Sequence, residues 1–182
     1  LQKHKIEKLL VVDNKGSLCG LITVKDILKK EHHPNAAIDK HGRLLVAAAI
    51  GVSDDIIDRV QALVSSHVDV IVIDTAHGHS KGVIDTIKKI KSKVSTIDLI
   101  AGNIATKDGA MALIDAGVNA VKVGIGAGSS CTTRMIAGVG VPQLTAVQEV
   151  YEYVLKKDIP IISDGGMRYS GDIAKSFAAG AE

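Results

Sequence analysis

The chain has 182 residues, of which 46% are hydrophobic and 2% aromatic, so a substantial core must be built from Val, Ile, Leu and Ala. Its formal net charge is +2, with acidic and basic residues interleaved, which provides neither a basic stripe for nucleic acid nor an acidic tail. No signal peptide or apolar run of about 20 residues points to secretion or a membrane. Cys19 and Cys131 are unaccompanied, which disfavours a disulfide framework. We therefore expect a soluble cytoplasmic protein.

Residues 1–30 predict a β-hairpin followed by a helix, a pattern that the rest of the chain does not repeat. Two apolar runs flank a polar turn, and Thr23 and Asp26 have the spacing of a helix N-cap and its first turn. The polar stretch 31–42, which contains a proline and a glycine, is predicted to be a linker.

Residues 43–182 repeat one unit, in which a short apolar run is followed by a polar or glycine-containing loop and an amphipathic helix. The five runs are RLLVAAAIG, VDVIVIDTAHG, TIDLIAGN, AVKVGIG and IPIISDGG. Such runs predict parallel strands buried on both faces, so the fold class is α/β. Periodicity alone leaves a doubly wound sheet and a (β/α) barrel open. A complete barrel needs about 200 residues or more, so a barrel would be present only in part.

Capping residues predict where the helices of this region begin and end. Ser53, Thr106 and Ser170 are the predicted N-caps. Gly117 and Gly180 are the predicted left-handed residues at helix C-termini.

The segment VKVGIGAGSSCTTR places Cys131 in a small, polar loop directly after a predicted strand. A buried, inert thiol is the ordinary alternative for a cytosolic cysteine. The polar surroundings and the nearby Arg134 instead favour a thiolate, and the carboxyl ends of parallel strands are where catalytic groups collect. The pattern predicts a reactive, nucleophilic cysteine.

Glycines alternate at Gly124, Gly126 and Gly128 in the same loop. They indicate either a tight turn or a backbone that approaches an ion or a cofactor closely.

Polar residues also follow the other predicted strands. In SDGG, Asp164 suits ribose hydroxyls and the amides of Gly165 and Gly166 suit a phosphate, although a solvated turn is an equal alternative. Asp74 is predicted to accept hydrogen bonds from a polar substrate or cofactor, whereas Asn103 fits a ligand contact and a turn equally. Two histidines follow Asp74, but no third ligand has the spacing of a metal site.

Four motifs occur together in order: IDTAHGHS, DLIAGNIAT, VKVGIGAGSSCTTRMIAGVGVPQ and IISDGGMRYSGDIAKSFAAGA. With them, essentially the whole chain resembles the inosine-5′-monophosphate (IMP) dehydrogenase family. The resemblance implies a (β/α)8 TIM barrel of which about five β/α units are present. Residues 1–30 resemble the second half of a CBS domain, in which Thr23 and Asp26 match nucleotide-contacting positions, so a purine nucleotide is an expected ligand there.

The resemblance implies NAD-dependent oxidation of IMP to xanthosine 5′-monophosphate, the committed step of guanine nucleotide synthesis. Cys131 would add to C2 of the hypoxanthine ring and form a covalent thioimidate, and Thr133 would assist the hydrolytic water. The positions that would bind IMP are Ser129, Asp164, Gly165 and Gly166. Those that would contact NAD are Asp74, Asn103, Gly124, Ile125 and Gly126. Half of a potassium site would come from the carbonyls of Gly126, Gly128 and Cys131.

The sequence departs from the family at two positions of the cysteine loop. Ala127 stands where the family has proline and Ser130 where it has isoleucine, which predicts a looser loop. The arginine-bearing flap, the second phosphate loop and other barrel strands lie outside these residues, so the chain alone is expected to be inactive. The family also implies a cytoplasmic homotetramer that needs neither nucleic acid nor membrane.

Two alternatives differ in function. GMP reductase shares the barrel and the cysteine loop and uses NADPH, but it lacks a CBS insertion and its loop continues GVGYPQ where this chain has GVGVPQ. The second alternative is a non-catalytic, CBS-containing nucleotide sensor with a decayed barrel. The retention of Cys131, Thr133 and Asp164 argues against it.

Overall fold

The computed structural model describes residues 1–182, apart from the side chain of Gln2, and divides into two compact units, 1–45 and 46–182. No described helix is both long and apolar enough to cross a bilayer. A 3-10 helix spans Gln2–His4. The strands and α-helices are, in chain order, β1 (Lys8–Val12), β2 (Leu18–Thr23), α1 (Val24–His32), β3 (Ala47–Ile50), α2 (Ile56–Ser65), β4 (Val70–Asp74), α3 (Lys81–Lys93), β5 (Asp98–Ile104), α4 (Lys107–Ala116), β6 (Ala120–Val123), α5 (Thr133–Ala137), α6 (Gln143–Val154), β7 (Ile161–Ser163) and α7 (Ser170–Ala178).

The first unit is an antiparallel hairpin of β1 and β2 followed by α1. The predicted N-cap is confirmed, because Thr23 Oγ1 accepts from Asp26 N at 3.2 Å and Thr23 N donates to Asp26 Oδ2 at 2.9 Å. Helix α1 continues to His32, so it extends into the segment 31–42 that was predicted as a linker. The boundary between the two units falls after residue 45.

The second unit contains a five-stranded parallel sheet whose neighbours follow chain order, β3-β4-β5-β6-β7. This confirms the predicted parallel α/β fold. A doubly wound sheet reverses its strand order at a switch point, and this sheet has no such reversal. Successive strands of a (β/α) barrel have this sequential order.

The core lies between the sheet and a layer of helices in which α2, α3, α4, α6 and α7 pack in succession. Alternate strand residues such as Ile71, Leu99 and Val121 are fully buried, and each contributes about 1.5–3 kcal/mol of burial free energy. The intervening residues Val72 and Ile100 are only half-buried. Their side chains point away from the helix layer, which within these 182 residues covers one face of the sheet.

Several helix boundaries follow the predicted capping residues. Thr106 caps α4, its Oγ1 accepting from Gly109 N at 3.2 Å. Gly117 and Gly180 both have φ of +107°, as predicted for residues at helix C-termini.

Two predicted N-caps are wrong. Helix α2 begins at Ile56, because a turn at 54–55 separates it from Ser53. Helix α7 begins at Ser170 itself, with Tyr169 as the capping residue. The Asp172 carboxylate accepts from Tyr169 N at 3.2 Å, which stabilises the start of the helix one residue earlier than predicted.

Candidate functional site

The predicted site residues lie at one edge of the parallel sheet, where β4 to β7 end. Asp74 is the last residue of β4, Asn103 lies near the end of β5, and Asp164 directly follows β7. The loop 124–131 follows β6. Because parallel strands present their carboxyl ends at the same edge, the fold brings together motifs that are far apart in sequence.

A lysine connects two of the predicted carboxylates. Lys122 Nζ lies 2.7 Å from Asp164 Oδ2 and 2.9 Å from Asp74 Oδ1. The lysine side chain is 15% exposed, whereas those of Asp74 and Asp164 are 52% and 45% exposed. The result is a three-residue charged cluster with a sheltered cation between two accessible anions.

Asn103 connects Asp164 to the loop after β6. Its Nδ2 donates to Gly124 O at 2.8 Å and to Asp164 Oδ2 at 2.9 Å. Its Oδ1 is buried and accepts no hydrogen bond from the described residues. An unpaired buried acceptor carries a free-energy cost, which the two hydrogen bonds donated by Nδ2 help to offset.

The surroundings of Asp164 and Lys122 stabilise the ionised forms of both side chains. The hydrogen bond from Asn103, followed by the interactions with Lys122, holds the pKa of Asp164 below its ordinary value. Burial is the largest single influence on Lys122 and lowers its pKa, but the hydrogen bonds and charges of Asp164 and Asp74 together outweigh it. The pKa of Lys122 is therefore raised. Asp164 and Lys122 therefore both remain charged at neutral pH.

Cys131 is half-buried in the loop before α5. Its Sγ is hydrogen-bonded to Thr133 Oγ1 at 3.2 Å, and its N–H donates to Gly128 O at 3.2 Å. The side-chain and backbone hydrogen bonds of Thr133, with a smaller contribution from Arg134, lower the pKa of the Cys131 thiol. Since the thiolate is the nucleophilic form, the geometry favours reactivity.

Replacing Thr133 with valine is expected to raise the pKa of Cys131, because the hydroxyl that stabilises the thiolate is lost. The thiolate fraction at neutral pH then falls, and alkylation by iodoacetamide becomes slower. Measured as rate against pH, the midpoint should move to higher pH. Thr132→Val is the matched control, because the Thr132 side chain makes no capping hydrogen bond and its loss should leave the midpoint unchanged. An unchanged midpoint in Thr133→Val would contradict the assigned cause.

Two of the alternating glycines lie where a side chain does not fit. Gly124 has φ of +151°, and a Cβ there would collide with the carbonyl oxygen of Asp164. Gly126 has φ of +68°, and its Cβ would lie 2.7 Å from Val139 O and 2.8 Å from Arg134 Cγ. Close backbone packing therefore requires glycine at both positions.

The loop after β7 packs against the cysteine loop. Gly165 has φ of +93°, and a Cβ there would lie 3.0 Å from Gly128 N. Gly166 has φ of +82°. Ser129 is exposed, whereas Ile125 is half-buried against the core. The predicted IMP residues Ser129, Gly165 and Gly166 thus belong to two adjoining loops.

A cavity of about 310 Å³ opens beside these loops. Its lining comes from the segments at or after the ends of β4, β5 and β6 and from residues 139–141 before α6, and it includes His77, His79, Ile125 and Val141. Among the described residues, no group of three His, Cys, Asp or Glu side chains has the geometry of a metal site.

Lys122 and Gln143 were not predicted from the sequence. A lysine inside the apolar run AVKVGIG was an available signal, because charged residues are rarely buried unless they are paired. Gln143 Nε2 donates to Val123 O at 2.7 Å and to Ser163 Oγ at 2.9 Å, and so ties β6 to β7. Nothing in the local sequence signalled that role.

Comparison with known proteins assigns the family. The IMP dehydrogenase / GMP reductase domain matches residues 5–182. The chain belongs to this family. The resemblance drawn from the four motifs is thereby confirmed.

Members of the IMP dehydrogenase / GMP reductase family align with nearly the whole chain. The inosine-5′-monophosphate dehydrogenase of Aquifex aeolicus (strain VF5) is 59% identical over 180 residues, which are 99% of this chain and 37% of that protein. The enzyme of the same name from Bacillus subtilis (strain 168) is 56% identical with the same coverage. This chain therefore spans little more than a third of their length.

A solved structure of the family has the same fold. A cysteine-to-alanine variant of GMP reductase from Trypanosoma brucei, in complex with guanosine 5′-monophosphate, is 43% identical with a TM-score of 0.85. The alignment covers 99% of this chain and 38% of that one.

Proposed function

We propose that this chain is part of a longer polypeptide that oxidises IMP to xanthosine 5′-monophosphate with NAD, and that residues 43–182 form part of its TIM barrel. The observation that carries the proposal is the thiol of Cys131, whose pKa is lowered and which lies at the catalytic edge of the sheet. The identity of 59% to a named IMP dehydrogenase favours this reaction within the family. We refer to this proposed longer chain as the full-length polypeptide.

In the proposed reaction, the Cys131 thiolate adds to C2 of the hypoxanthine ring. The hydride on C2 passes to NAD, which serves as the oxidant, and a thioimidate links the purine to Sγ. Water then attacks C2, the thiolate leaves, and xanthosine 5′-monophosphate is released. Thr133 Oγ1, at 3.2 Å from Sγ, is close enough to orient that water.

IMP would bind through the adjoining loops after β6 and β7. The amides of Gly165 and Gly166 and the hydroxyl of Ser129 would hold the phosphate. The Asp164 carboxylate, ionised and partly exposed, would accept hydrogen bonds from the ribose hydroxyls.

NAD would lie along the ends of β4 to β6. The exposed carboxylate of Asp74 is an available acceptor, and Asn103 would act beside it from the end of β5. Gly124, Ile125 and Gly126 would supply backbone contacts from the loop after β6. The cavity beside Ile125 provides room at this edge.

Potassium would bind the carbonyls of Gly126, Gly128 and Cys131, which are oxygen ligands of the type that hard cations prefer. The Gly128 carbonyl accepts the Cys131 N–H and retains a second lone pair for the ion. The cation would hold the cysteine loop in one conformation. The cation would stabilise the loop more in this chain than in a relative with proline at position 127, because Ala127 restricts the backbone less.

GMP reductase is the second candidate, and structural similarity favours it. Two structures of GMP reductase from Trypanosoma brucei match with TM-scores of 0.85 and 0.86. Their sequence identity is 43%, lower than the 54% to 59% identity of the IMP dehydrogenases.

Substrate pairs distinguish the two reactions. The full-length polypeptide is incubated with IMP and NAD, and separately with GMP and NADPH, while the reduced cofactor is followed by absorbance. We expect NADH to appear in the first assay and NADPH to persist in the second. NADPH consumption with GMP would instead assign the reductase, and no change in either would support a nucleotide sensor.

We propose that the 182-residue chain alone does not turn over, because it spans 37% of its relatives' length. Protection of Cys131 from alkylation by IMP would show that the nucleotide site is formed, with the exposed Cys19 as an internal control. NADH production by the chain itself would contradict the proposal. We also propose that residues 1–30 are the second half of a CBS domain that binds a purine nucleotide. The full-length polypeptide is proposed to be a cytoplasmic homotetramer, and light scattering measures its oligomeric state.

A further inference from the structure

The Lys122 bridge connects Asp74 to Asp164 and does not include the thiol of Cys131. Its Nζ lies within 3 Å of two carboxylates, one at the end of β4 and one directly after β7, and only 15% of its side chain is exposed. An exposed ion pair contributes little, but burying a lysine carries a desolvation cost that its partners must offset. A general need for surface charge therefore does not explain why a lysine occupies position 122.

The sheet register makes the bridge possible. Asp74 pairs with Gly102 on β5, and Gly102 pairs with Lys122 on β6, so the three residues form one row across the strands. Gly102 is buried, and a Cβ there would lie 2.7 Å from Lys122 Cβ. Because glycine occupies the middle of the row, the lysine side chain can cross β5 and reach Asp74.

The bridge holds each carboxylate by one oxygen. Oδ2 of Asp164 accepts from both Lys122 and Asn103, and Oδ1 of Asp74 accepts from Lys122. No described donor reaches the second oxygen of either group. Since both carboxylates are about half exposed, each presents a free oxygen in a fixed orientation. A carboxylate fixed in this way is preorganised to bind a hydroxyl group.

We propose that Lys122 is a positioning residue that aligns Asp164 toward IMP and Asp74 toward NAD, and so sets the affinity for both ligands. The inference rests on the proposed function and extends it, because it couples the two subsites through one side chain. If the ion pair had a purely structural role, its loss would lower stability and leave the affinity for both ligands unchanged.

The test uses Lys122→Met in the full-length polypeptide. We expect the KM for IMP and the KM for NAD each to rise about tenfold, with a smaller change in kcat, because interactions with bound ligand are lost. Lys122→Arg, which keeps a cation able to bind both carboxylates, should restore both values to within about threefold of wild type. Should Lys122→Met fail to fold, Lys122→Gln provides the same comparison.

Lys91→Met is the matched control. Lys91 Nζ donates to Asn119 Oδ1 at 2.7 Å and to Ile97 O at 3.1 Å, so its replacement also removes two hydrogen bonds from a lysine in this unit. These contacts precede β5 and β6, away from the strand ends that carry the site. The control should lower the melting temperature without changing either KM.

A double variant tests whether Lys122 acts through Asp164. Asp164→Asn should raise the KM for IMP, and adding Lys122→Met should raise it little further, because both changes remove the same aligned carboxylate. Independent, multiplicative effects would overturn the inference, as would a folded Lys122→Met with both KM values unchanged. If the wild-type full-length polypeptide produces no NADH from IMP, the proposed function itself is overturned.

Discussion

Replacing Cys131 with serine in the full-length polypeptide is expected to lower kcat for IMP oxidation by about 10³-fold or more. Serine keeps the size of the side chain, but its hydroxyl is not ionised near neutral pH. The hydrogen bonds of Thr133 and the charge of Arg134, which lower the pKa of the thiol, act on no ionised group in the variant. The measurement is steady-state NADH formation at saturating IMP and NAD.

Cys19→Ser is the matched control for this substitution. Cys19 is the other cysteine of the chain, is exposed, and lies on β2 of the first unit. Its Sγ lies 3.4 Å from Ser17 O, a hydrogen bond that serine can also make. The control should retain wild-type kcat. If Cys131→Ser retains more than about a tenth of wild-type kcat with an unchanged melting temperature, Cys131 is not the nucleophile.

The architecture of the second unit could be predicted from the sequence because its signals are local. Apolar runs rich in Val and Ile indicate parallel strands, and Thr106 and Gly117 bound α4 as predicted. Strand order is a property of pairing between distant segments, so the choice between a doubly wound sheet and a barrel-like order required the structure.

The predicted helix starts at Ser53 and Ser170 show where local signals fail. A serine before a helix is a good N-cap only if the chain enters the helix at that residue. At Ser170, the carboxylate of Asp172 also accepts from the N–H of Arg168 and Tyr169, and this competing set of hydrogen bonds moves the start by one residue.

The sequence predicted individual candidate residues, but not the hydrogen bonds and ion pairs that join them across the sheet. Cys131 and Thr133 are near neighbours in sequence, so their contact follows from the motif. The bridge from Asp74 to Asp164 depends on the register of β4 to β6 and on the absence of a side chain at Gly102. No local pattern encodes that register, so the lysine in AVKVGIG indicates a paired charge but does not reveal its partners.

Gly124→Ala is expected to destabilise the chain by about 2–4 kcal/mol and to weaken IMP protection of Cys131. Alanine disfavours a φ of +151°, and its Cβ would collide with the carbonyl oxygen of Asp164. Relief of the collision must separate the loops after β6 and β7. The Gly124 carbonyl accepts from Asn103, so this movement also displaces the amide that holds Asp164. Urea denaturation measures the first effect and alkylation with and without IMP the second.

Gly51→Ala separates this collision from the general effect of adding a methyl group. Gly51 follows β3 in the same unit, and a Cβ there meets no atom within 4 Å. Its replacement should change the free energy of unfolding by no more than about 0.5 kcal/mol and leave IMP protection intact. Equal stability and protection in both variants would contradict the close approach of Gly124 to Asp164. A destabilised Gly124→Ala with normal protection would place the IMP contacts elsewhere, because the proposed ribose ligand moves with this loop.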